Sequence, residues 1–325
     1  MSKGLGLLSG GLDSSLAALT LKRQGVSVTC LAFVTPFFGA AKARKAAERL
    51  ELPLLVRDIS EIHLEIVKNP VFGYGKNLNP CIDCHALMFR LAGRIMEDEG
   101  FDFLFSGEVL GQRPMSQNLN ALTTVANHSG YPERILRPLS AKLLPVTPME
   151  EAGLVDREGL LDIKGRTRGR QEEFARRWGL IDYPSSGGGC LLTEKSFSGR
   201  LRDLFTHCPA ATPTDVELLK LGRQFRLSPQ AKLTLGRNLE TNQAIKAIAR
   251  PADTLVQAAD FDGPTGLVSG APSDQDLHRA ATIVATYGKG QGCKNVTLVC
   301  RRGSEEQSLM VSPLSREDCQ VYQVE

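Results

Sequence analysis

The sequence predicts an α/β fold: a doubly wound parallel sheet, followed by a second, smaller α+β domain. Short apolar runs alternate with helix-like stretches through the first 140 residues, and a Gly/Ser-rich turn joins the first run to the first helix. The pattern then changes near residue 200. Alternating strands and helices are typical of βαβ units and a parallel sheet. A chain of 325 residues is long enough for two domains, which we expect at residues 1–195 and 200–325.

The elements of the first domain follow in order. Gly4 to Leu8 is predicted to be a buried strand, and the apolar spacing in residues 13–24 predicts a helix that Gly25 closes. The next predicted elements are strands at 26–33, 54–57 and 101–105, helices at 40–50, 84–99, 150–161 and 166–178, and a loop at 184–189.

The second domain has a different pattern. Residues 253–258 alternate between polar and apolar types, residues 260–274 are rich in Gly and Pro, and residues 275–287 have helical spacing. Residues 295–301 then predict a further strand. We interpret this region as a small α+β module.

The composition excludes several classes of protein. Hydrophobic residues make up 42% of the chain and charged residues 23%, which argues against disorder and against collagen-like repeats. No run of about 18 apolar residues occurs, and the N-terminus lacks a signal-peptide pattern. We therefore expect a cytoplasmic protein with no membrane partner. In that compartment thiols stay reduced, so the eight cysteines favour metal, cluster or catalytic roles over a disulfide framework.

The small net charge of +3 is concentrated in one patch. Between Lys164 and Arg177 there are six basic and two acidic residues. Because nucleic-acid backbones attract clustered Lys and Arg, this patch supplies four candidate RNA contacts: Lys164, Arg166, Arg168 and Arg170.

The turn after the first strand carries a candidate phosphate site. Its residues are Ser9, Gly10, Gly11, Leu12, Asp13, Ser14 and Ser15, and they lead into a helix N-terminus, where backbone N–H groups attract phosphate. The turn lacks the Lys of a Walker A loop and is not GxGxxG. The string SGGxDS resembles the pyrophosphate (PP) loop of the ATP pyrophosphatases, which implies cleavage of ATP to AMP and pyrophosphate.

Three cysteines form a second candidate constellation. Cys81 and Cys84 lie three residues apart at the entrance to a helix, and Cys190 follows a triple glycine. Such a set is compatible with a redox pair, half of a zinc site, two ligands of an iron–sulfur cluster, or unrelated cysteines. His85 is a candidate fourth zinc ligand.

Together, SGGLDSS, NPCIDCH and SSGGGC resemble the tRNA thiolation enzymes of this superfamily. Residues 104–118 and 135–141 are similar to the 4-thiouridine synthetase (ThiI) family, whereas NPCIDCH is more similar to the tRNA 2-thiouridylase (MnmA) family. The resemblance covers roughly residues 1–195 and implies that Cys84 and Cys190 carry catalytic thiols. Because the phosphate loop begins at residue 9, we expect neither the THUMP region nor the rhodanese domain of the ThiI family.

The same resemblance implies a set of pocket residues. Asp13 is assigned to Mg²⁺ or to phosphate-loop geometry, and Gly107, Glu108, Gln112 and Gln117 to the ATP or uridine pocket. Position in the predicted fold adds Phe33 as a neighbour of adenine and Arg137 as a phosphate contact.

The C-terminal region has a resemblance of its own. Gly236-Arg237-Asn238 and the later alanine-rich helix are similar to the NFACT-R module of ribosome-quality-control factors, over about residues 205–325. That resemblance implies RNA binding, with Arg237, Lys289 and Lys294 as candidate contacts.

The sequence therefore predicts ATP-dependent thiolation of a tRNA uridine, with 4-thiouridine favoured over 2-thiouridine. Sulfur would come from sulfide or from a cysteine desulfurase persulfide. Two routes remain open: a persulfide on Cys84 or Cys190, and a 4Fe-4S cluster held by Cys81, Cys84 and Cys190. The alternative functions are an ammonia-using ATP pyrophosphatase and a non-catalytic factor that binds ATP and RNA.

Overall fold

The computed structural model describes residues 1–184, 190–290 and 292–325. Its contacts divide the chain into two units, Met1–Thr193 and Glu194–Glu325. The loop predicted at 184–189 lies outside the described residues except for Pro184. In the described part of the chain, no helix is both long enough and apolar enough to cross a membrane.

The first unit alternates strands and helices, as predicted. In chain order its elements are β1 (Lys3–Leu7), α1 (Leu12–Lys22), β2 (Ser27–Val34), α2 (Ala41–Leu50), β3 (Leu54–Asp58), α3 (Ser60–Lys68), α4 (Cys81–Glu99), β4 (Phe103–Ser106), α5 (Leu119–Ser129), β5 (Ile135–Leu136), α6 (Pro148–Glu151) and α7 (Gly169–Arg177). Helices α3 and α5 are additions to the predicted set.

The strands of this unit form a parallel sheet in the order β3-β2-β1-β4-β5. This confirms the predicted α/β fold. The chain moves outward from β1 in one direction through β2 and β3, and then crosses to β4 on the other side of β1. In such sheets the crevice between the two central strands, at their carboxyl ends, is where ligands bind. The segments that follow β1 and β4 therefore border the expected site.

The long helix predicted at 150–161 is wrong. The structure has the four-residue α6 there and a separate single turn at Arg157–Gly159. Gly153 adopts a φ of +67°, which reverses the chain directly after α6. The apolar spacing that suggested a longer helix comes from side chains such as Val155 and Leu160, which are buried from irregular backbone.

The second unit is built around an antiparallel sheet in the order β11-β10-β8-β9-β7-β6. Its elements are α8 (Lys195–His207), α9 (Pro213–Leu219), β6 (Arg223–Ser228), β7 (Ala231–Leu235), α10 (Leu239–Ile248), β8 (Thr254–Ala258), β9 (Gly266–Gly270), α11 (Asp274–Tyr287), β10 (Val296–Arg302), β11 (Glu305–Val311) and α12 (Arg316–Gln320). Helix α11 packs with the sheet in a shared hydrophobic core. The predicted α+β class of this region is confirmed.

Candidate functional site

The phosphate loop has the backbone shape that its glycines require. Gly10 adopts a φ of +79°, and a Cβ at this position would lie 2.3 Å from the backbone of Lys42. Gly11 caps α1 without a side-chain hydrogen bond, so the first amides of the helix are not capped by it. Because uncapped amides and the helix dipole favour anions, this turn is suited to a phosphate.

A second glycine brings the end of β4 against the same turn. A Cβ on Gly107 would lie 2.4 Å from the backbone nitrogen of Ser14. Only a residue without a side chain allows this approach. The Ser9 and Ser14 hydroxyl oxygens are 3.2 Å apart on the loop.

Asp13 is held beside the loop by two residues distant in sequence. Its Oδ2 accepts hydrogen bonds from Gln112 Nε2 at 2.8 Å and from an Arg168 guanidinium nitrogen at 3.3 Å. Within the described residues, its buried Oδ1 has no hydrogen-bond partner. Mg²⁺ in nucleotide sites takes one or two carboxylates together with substrate phosphates. The orphaned Oδ1 therefore fits one Mg²⁺ ligand.

Glu108 is the centre of a buried charge network. One carboxylate oxygen lies 2.8 Å from His85 Nδ1, and the other accepts from Arg137 Nε at 2.9 Å and from the Ser106 hydroxyl at 3.1 Å. Burial opposes ionisation of this carboxylate, but the charge of Arg137 and the hydrogen bond from His85 lower the pKa of Glu108 to about 2. The ionised carboxylate accepts from Nδ1–H and so fixes the ring of His85 in one orientation.

Cys84 lies in the first turn of α4 and contacts a histidine that the sequence did not single out. Its Sγ is 3.1 Å from His63 Nε2, and the ring of His63 contacts those of Phe37 and Phe38, with centroids 5.5 and 5.3 Å away. Burial lowers the pKa of His63 to about 4. The imidazole is therefore neutral at physiological pH and serves as a hydrogen-bonding partner for the thiol.

The three predicted thiols are electrostatically coupled. Burial raises the pKa of Cys84 well above its usual value, and charges on Cys190 and Cys81 raise it further. Burial also raises the pKa of Cys81, although the charge of Arg113 acts against this. The raised pKa values favour the protonated forms of Cys81 and Cys84.

The thiols do not form a ready metal site. Over the residues with described positions, no group of three or more His, Cys, Asp or Glu side chains is arranged to hold a metal ion. The 4Fe-4S cluster predicted on Cys81, Cys84 and Cys190 stays a prediction.

The loop at residues 69–80 is attached to both thiol-bearing segments. The Asp83 carboxylate, in the first turn of α4, accepts from the backbone N–H groups of Val71 and Phe72 at 2.9 and 3.1 Å. Asn77 Nδ2 donates to the carbonyl of Thr193 at 2.7 Å, just beyond Cys190. We call residues 69–80 the bridging loop.

A cavity of about 600 Å³ brings most of these groups together. The predicted residues that line it are Ser9, Gly11, Asp13, Ser14, Phe33, Cys81, Cys84, Gly107, Glu108, Gln117 and Cys190, and His85, Arg113 and Arg168 line it as well. This volume is within the usual range for small-molecule sites.

Four predicted residues lie behind the cavity wall. Ser15 donates from Oγ to the carbonyl of Gly11 at 3.0 Å, Gln112 holds Asp13, and Arg137 holds Glu108. Gly10 packs against the backbone at Lys42. We interpret these four as residues that position the lining groups.

The predicted RNA contacts have different surroundings. Lys164, Arg166, Lys289 and Lys294 are exposed, and Arg170 pairs with Asp162 at 2.7 Å. Arg168 lies instead beside the phosphate loop. Arg237 lines a cavity in the second unit.

The chain matches two family models. Residues 1–142 match the thiamine biosynthesis protein (ThiI) family, and residues 222–323 match the NFACT protein RNA binding domain. A curated relative, described as a probable tRNA sulfurtransferase from Finegoldia magna, is 34% identical over 143 residues, which are 43% of this chain and 36% of that protein. The chain thus spans about a third of the length of this relative.

Two solved structures are also similar. A 4-thiouridine synthetase in complex with RNA and bound ATP is 26% identical, with 42% of this chain and 36% of the other covered and a TM-score of 0.35. The C-terminal part of the fibronectin/fibrinogen-binding protein from Streptococcus suis is 13% identical, with 48% and 75% covered and a TM-score of 0.30. TM-scores this low do not establish a common fold. The two sequence matches therefore make residues 1–142 similar to the ThiI family and residues 222–323 similar to the NFACT protein RNA binding domain.

Proposed function

We propose that this chain is a tRNA sulfurtransferase that uses ATP to activate a uridine carbonyl and then replaces its oxygen with sulfur. The observation that carries the proposal is the meeting of the phosphate loop with Cys81, Cys84 and Cys190 around one cavity. A site for ATP alone has no use for three thiols. A redox pair alone has no use for a phosphate loop. A cytoplasmic location and tRNA as substrate are parts of the same proposal.

In the first step the uridine oxygen attacks the α-phosphate of ATP. Pyrophosphate leaves, the uridine N3 proton passes to water, and the oxygen is left bonded to AMP. Ser9, Ser14 and the first amides of α1 bind the phosphates, and Phe33 lies beside adenine. Asp13 Oδ1 would hold Mg²⁺, which would neutralise phosphate charge when bound.

In the second step a persulfide supplies the sulfur. The outer sulfur of a persulfide on Cys190 or Cys84 bonds to the activated carbon, and AMP leaves. The other thiol then attacks the inner sulfur, which releases the thiolated uridine and forms a Cys84–Cys190 disulfide. A thiol reductant restores both thiols. Cys84 and Cys190 line the same cavity, which supports this route.

The product we propose is 4-thiouridine. Support comes from residues 104–118 and 135–141, which resemble the 4-thiouridine synthetases and fall within the matched segment 1–142. The NPCIDCH motif, which is closer to the 2-thiouridylases, argues for the other ring position. We give more weight to the longer stretch.

The test is nucleoside mass spectrometry on tRNA incubated with full-length protein, ATP, Mg²⁺ and a sulfur donor. Sulfide and a desulfurase-charged persulfide are supplied in separate reactions under anaerobic conditions. With the persulfide donor we expect thiolated uridine from the wild type and none from Cys190→Ser or Cys84→Ser. With sulfide alone the persulfide route yields no product, because sulfide cannot become the outer sulfur of a persulfide without an oxidant. The matched control is Cys293→Ser, because Cys293 is exposed and belongs to the second unit.

The other functions give different results. Incorporation of nitrogen from ammonia, unaffected by Cys190→Ser, would replace this proposal with an amidating enzyme. Binding of ATP and RNA without pyrophosphate release would indicate an accessory factor. Stoichiometric iron and absorbance near ~400 nm would support the cluster route over the persulfide route.

A further inference from the structure

The second unit contains a cavity to which the proposed reaction assigns no role. It encloses about 700 Å³ and is bordered by the turn before α10, the loop at residues 259–265 and the ends of α11 and β10. Every residue that lines it belongs to Glu194–Glu325. We call it the basic cavity because its lining carries an excess of positive charge.

The side chains that line the basic cavity carry an excess of positive charge. Four are cationic, namely Arg223, Arg237, Lys246 and Arg301, and Asp262 is acidic. Arg301 pairs with Glu306. For Arg223, Arg237 and Lys246, no carboxylate lies within ion-pair distance among the residues that the structure describes.

Two of these cations are also close to further arginines. Burial lowers the pKa of Arg223, and the charges of Arg237 and Arg316 lower it further. Burial and the charge of Arg237 likewise lower the pKa of Arg200. Like charges held together cost free energy that an unpaired surface side chain can normally avoid by moving away. A bound anion would remove this cost.

Arg223 is held in place by contact with an aromatic ring. The guanidinium of Arg223 lies 4.8 Å from the ring centroid of Tyr287, which also has Arg316 at 5.5 Å. Cation–π contacts of this kind fix the plane of the guanidinium group. Arg223 is therefore oriented before any ligand arrives.

The turn that carries Arg237 is held in place by contacts with Asn242. A Cβ on Gly236 would lie 1.9 Å from Asn242 Oδ1, and that oxygen accepts a hydrogen bond from the backbone of Thr265 at 3.0 Å. Asn242 Nδ2 donates to the carbonyl of Gly263 at 3.2 Å. Asn242 thus ties the turn before α10 to the loop on the opposite side of the cavity.

We propose that the basic cavity holds one nucleotide of a single-stranded RNA segment, with its phosphate bound between Arg223 and Arg237. The choice of RNA over another anion rests on the proposed function. A recess of this size admits a single nucleotide, whereas the paired bases of a double helix remain inside the duplex. Single-stranded segments are the part of an RNA whose bases are free to enter such a recess.

The test compares RNA binding by full-length variants in fluorescence anisotropy. Arg237→Gln and Arg223→Gln are measured against Arg302→Gln, which makes the same change of charge. Arg302 is exposed and neighbours Arg301 on β10, so it points to the opposite face of the sheet. The probes are a labelled tRNA transcript and a labelled unstructured oligoribonucleotide.

We expect each cavity variant to weaken binding of both probes about tenfold, as befits a charge-assisted contact. The slope of log affinity against log salt should fall by about 0.7 for each lost phosphate contact with the oligoribonucleotide. Arg302→Gln should leave affinity and slope near wild type. Thermal unfolding of each variant checks that the second unit remains folded.

Each other outcome overturns a specific statement. If the wild type binds RNA and the cavity variants match Arg302→Gln, this inference is wrong while the proposed function stands. If duplex RNA competes as well as the oligoribonucleotide, the single-stranded occupant is wrong. If the wild type binds no RNA, the proposed function itself fails.

Discussion

The two cavities handle charge in opposite ways. In the first unit, Glu108 lies between Arg137 and His85, and Asp13 is held by Gln112 and Arg168. In the second, Arg223 and Arg237 lie close together without a carboxylate partner among the described residues. Both carboxylates that line the first cavity, Asp13 and Glu108, are paired within the unit, which fixes their orientation. The second leaves its positive charge for something outside the chain.

The difference separates two tasks: the first cavity orients reacting groups, and the second attracts a charged ligand. Internal pairing orients groups to within tenths of an ångström, which a group-transfer reaction needs. Unpaired cations act over longer distances and tolerate many sequences, which suits the capture of an RNA backbone. Variants that remove one property at a time test the contrast.

The largest effect should come from Glu108→Gln. This change leaves Arg137, which is 8% exposed, without a compensating charge, and breaking a buried pair typically costs about 3–5 kcal/mol. The measurement is urea unfolding of the full chain. The control is Glu158→Gln, because the Glu158 side chain is 86% exposed in its pair with Lys142. Equal stability of the two variants would contradict internal pairing as the support of the first cavity.

Gly10→Ala should have the next largest effect. Gly10 and Gly25 share a φ of +79°, but a Cβ at Gly25 meets no atom within 4 Å. Gly25→Ala should therefore cost only the conformational strain of about 1–2 kcal/mol. Gly10→Ala should cost more and should also abolish ATP binding, measured by calorimetry. Retained ATP binding would show that the shape of the phosphate loop is not essential to the first cavity.

Lys232, in the second unit, should make the stability of the protein depend on pH. Burial lowers its pKa to about 7, with the charge of Asp203 acting in the other direction, and its Nζ has no hydrogen-bond partner in the described parts of the chain. The other charges that face it are Arg226, Arg200 and Asp215. Between pH 7 and the unfolded pKa near ~10.4, the unfolded state binds the extra proton. Stability should therefore rise with pH by at most about 1.4 kcal/mol per unit and level off below pH 7.

The check for Lys232 is scanning calorimetry of the full chain from pH 6 to 10, with a reductant present. Lys232→Met should be more stable at pH 7 and should show a flatter pH profile. Asp203 keeps its two contacts with Arg226, at 2.7 and 3.1 Å, in this variant. A wild-type profile that falls between pH 7 and 10 would contradict the assignment.

The smallest effect concerns Arg237. Replacing it with Gln removes repulsion from Arg200 and Arg223, so the free energy of unfolding should rise by less than ~1 kcal/mol while RNA affinity falls. The measurement is thermal unfolding beside the binding assay, in low salt. A loss of stability would mean that Arg237 supports the fold rather than an external anion.

Local features of the sequence predicted most strands and helices of the first unit. The strand before Ser9 and the helix after Gly11 follow from apolar spacing and from glycines that the turn requires. The same reasoning failed at residues 150–161, where Gly153 reverses the chain. Apolar spacing reports which residues are buried, but it does not distinguish a helix from irregular backbone that buries the same side chains.

The contacts that complete the site could not be read from the sequence. His63 and Cys84 are 21 residues apart, and Arg168 and Asp13 are 155 apart. No spacing rule connects such pairs, because the parallel sheet and its crossover connections bring them together. Arg168 therefore looked like part of a basic surface patch, although its guanidinium lies beside the phosphate loop.

The bridging loop couples the two thiol positions mechanically. Asp83 attaches one end of it beside Cys84, and Asn77 attaches the other beyond Cys190. A change in the separation of these sulfurs would therefore act on residues 69–80, where Val71 and Tyr74 are 73% and 40% exposed. We accordingly expect formation of a Cys84–Cys190 disulfide to change the rate of proteolytic cleavage in this loop.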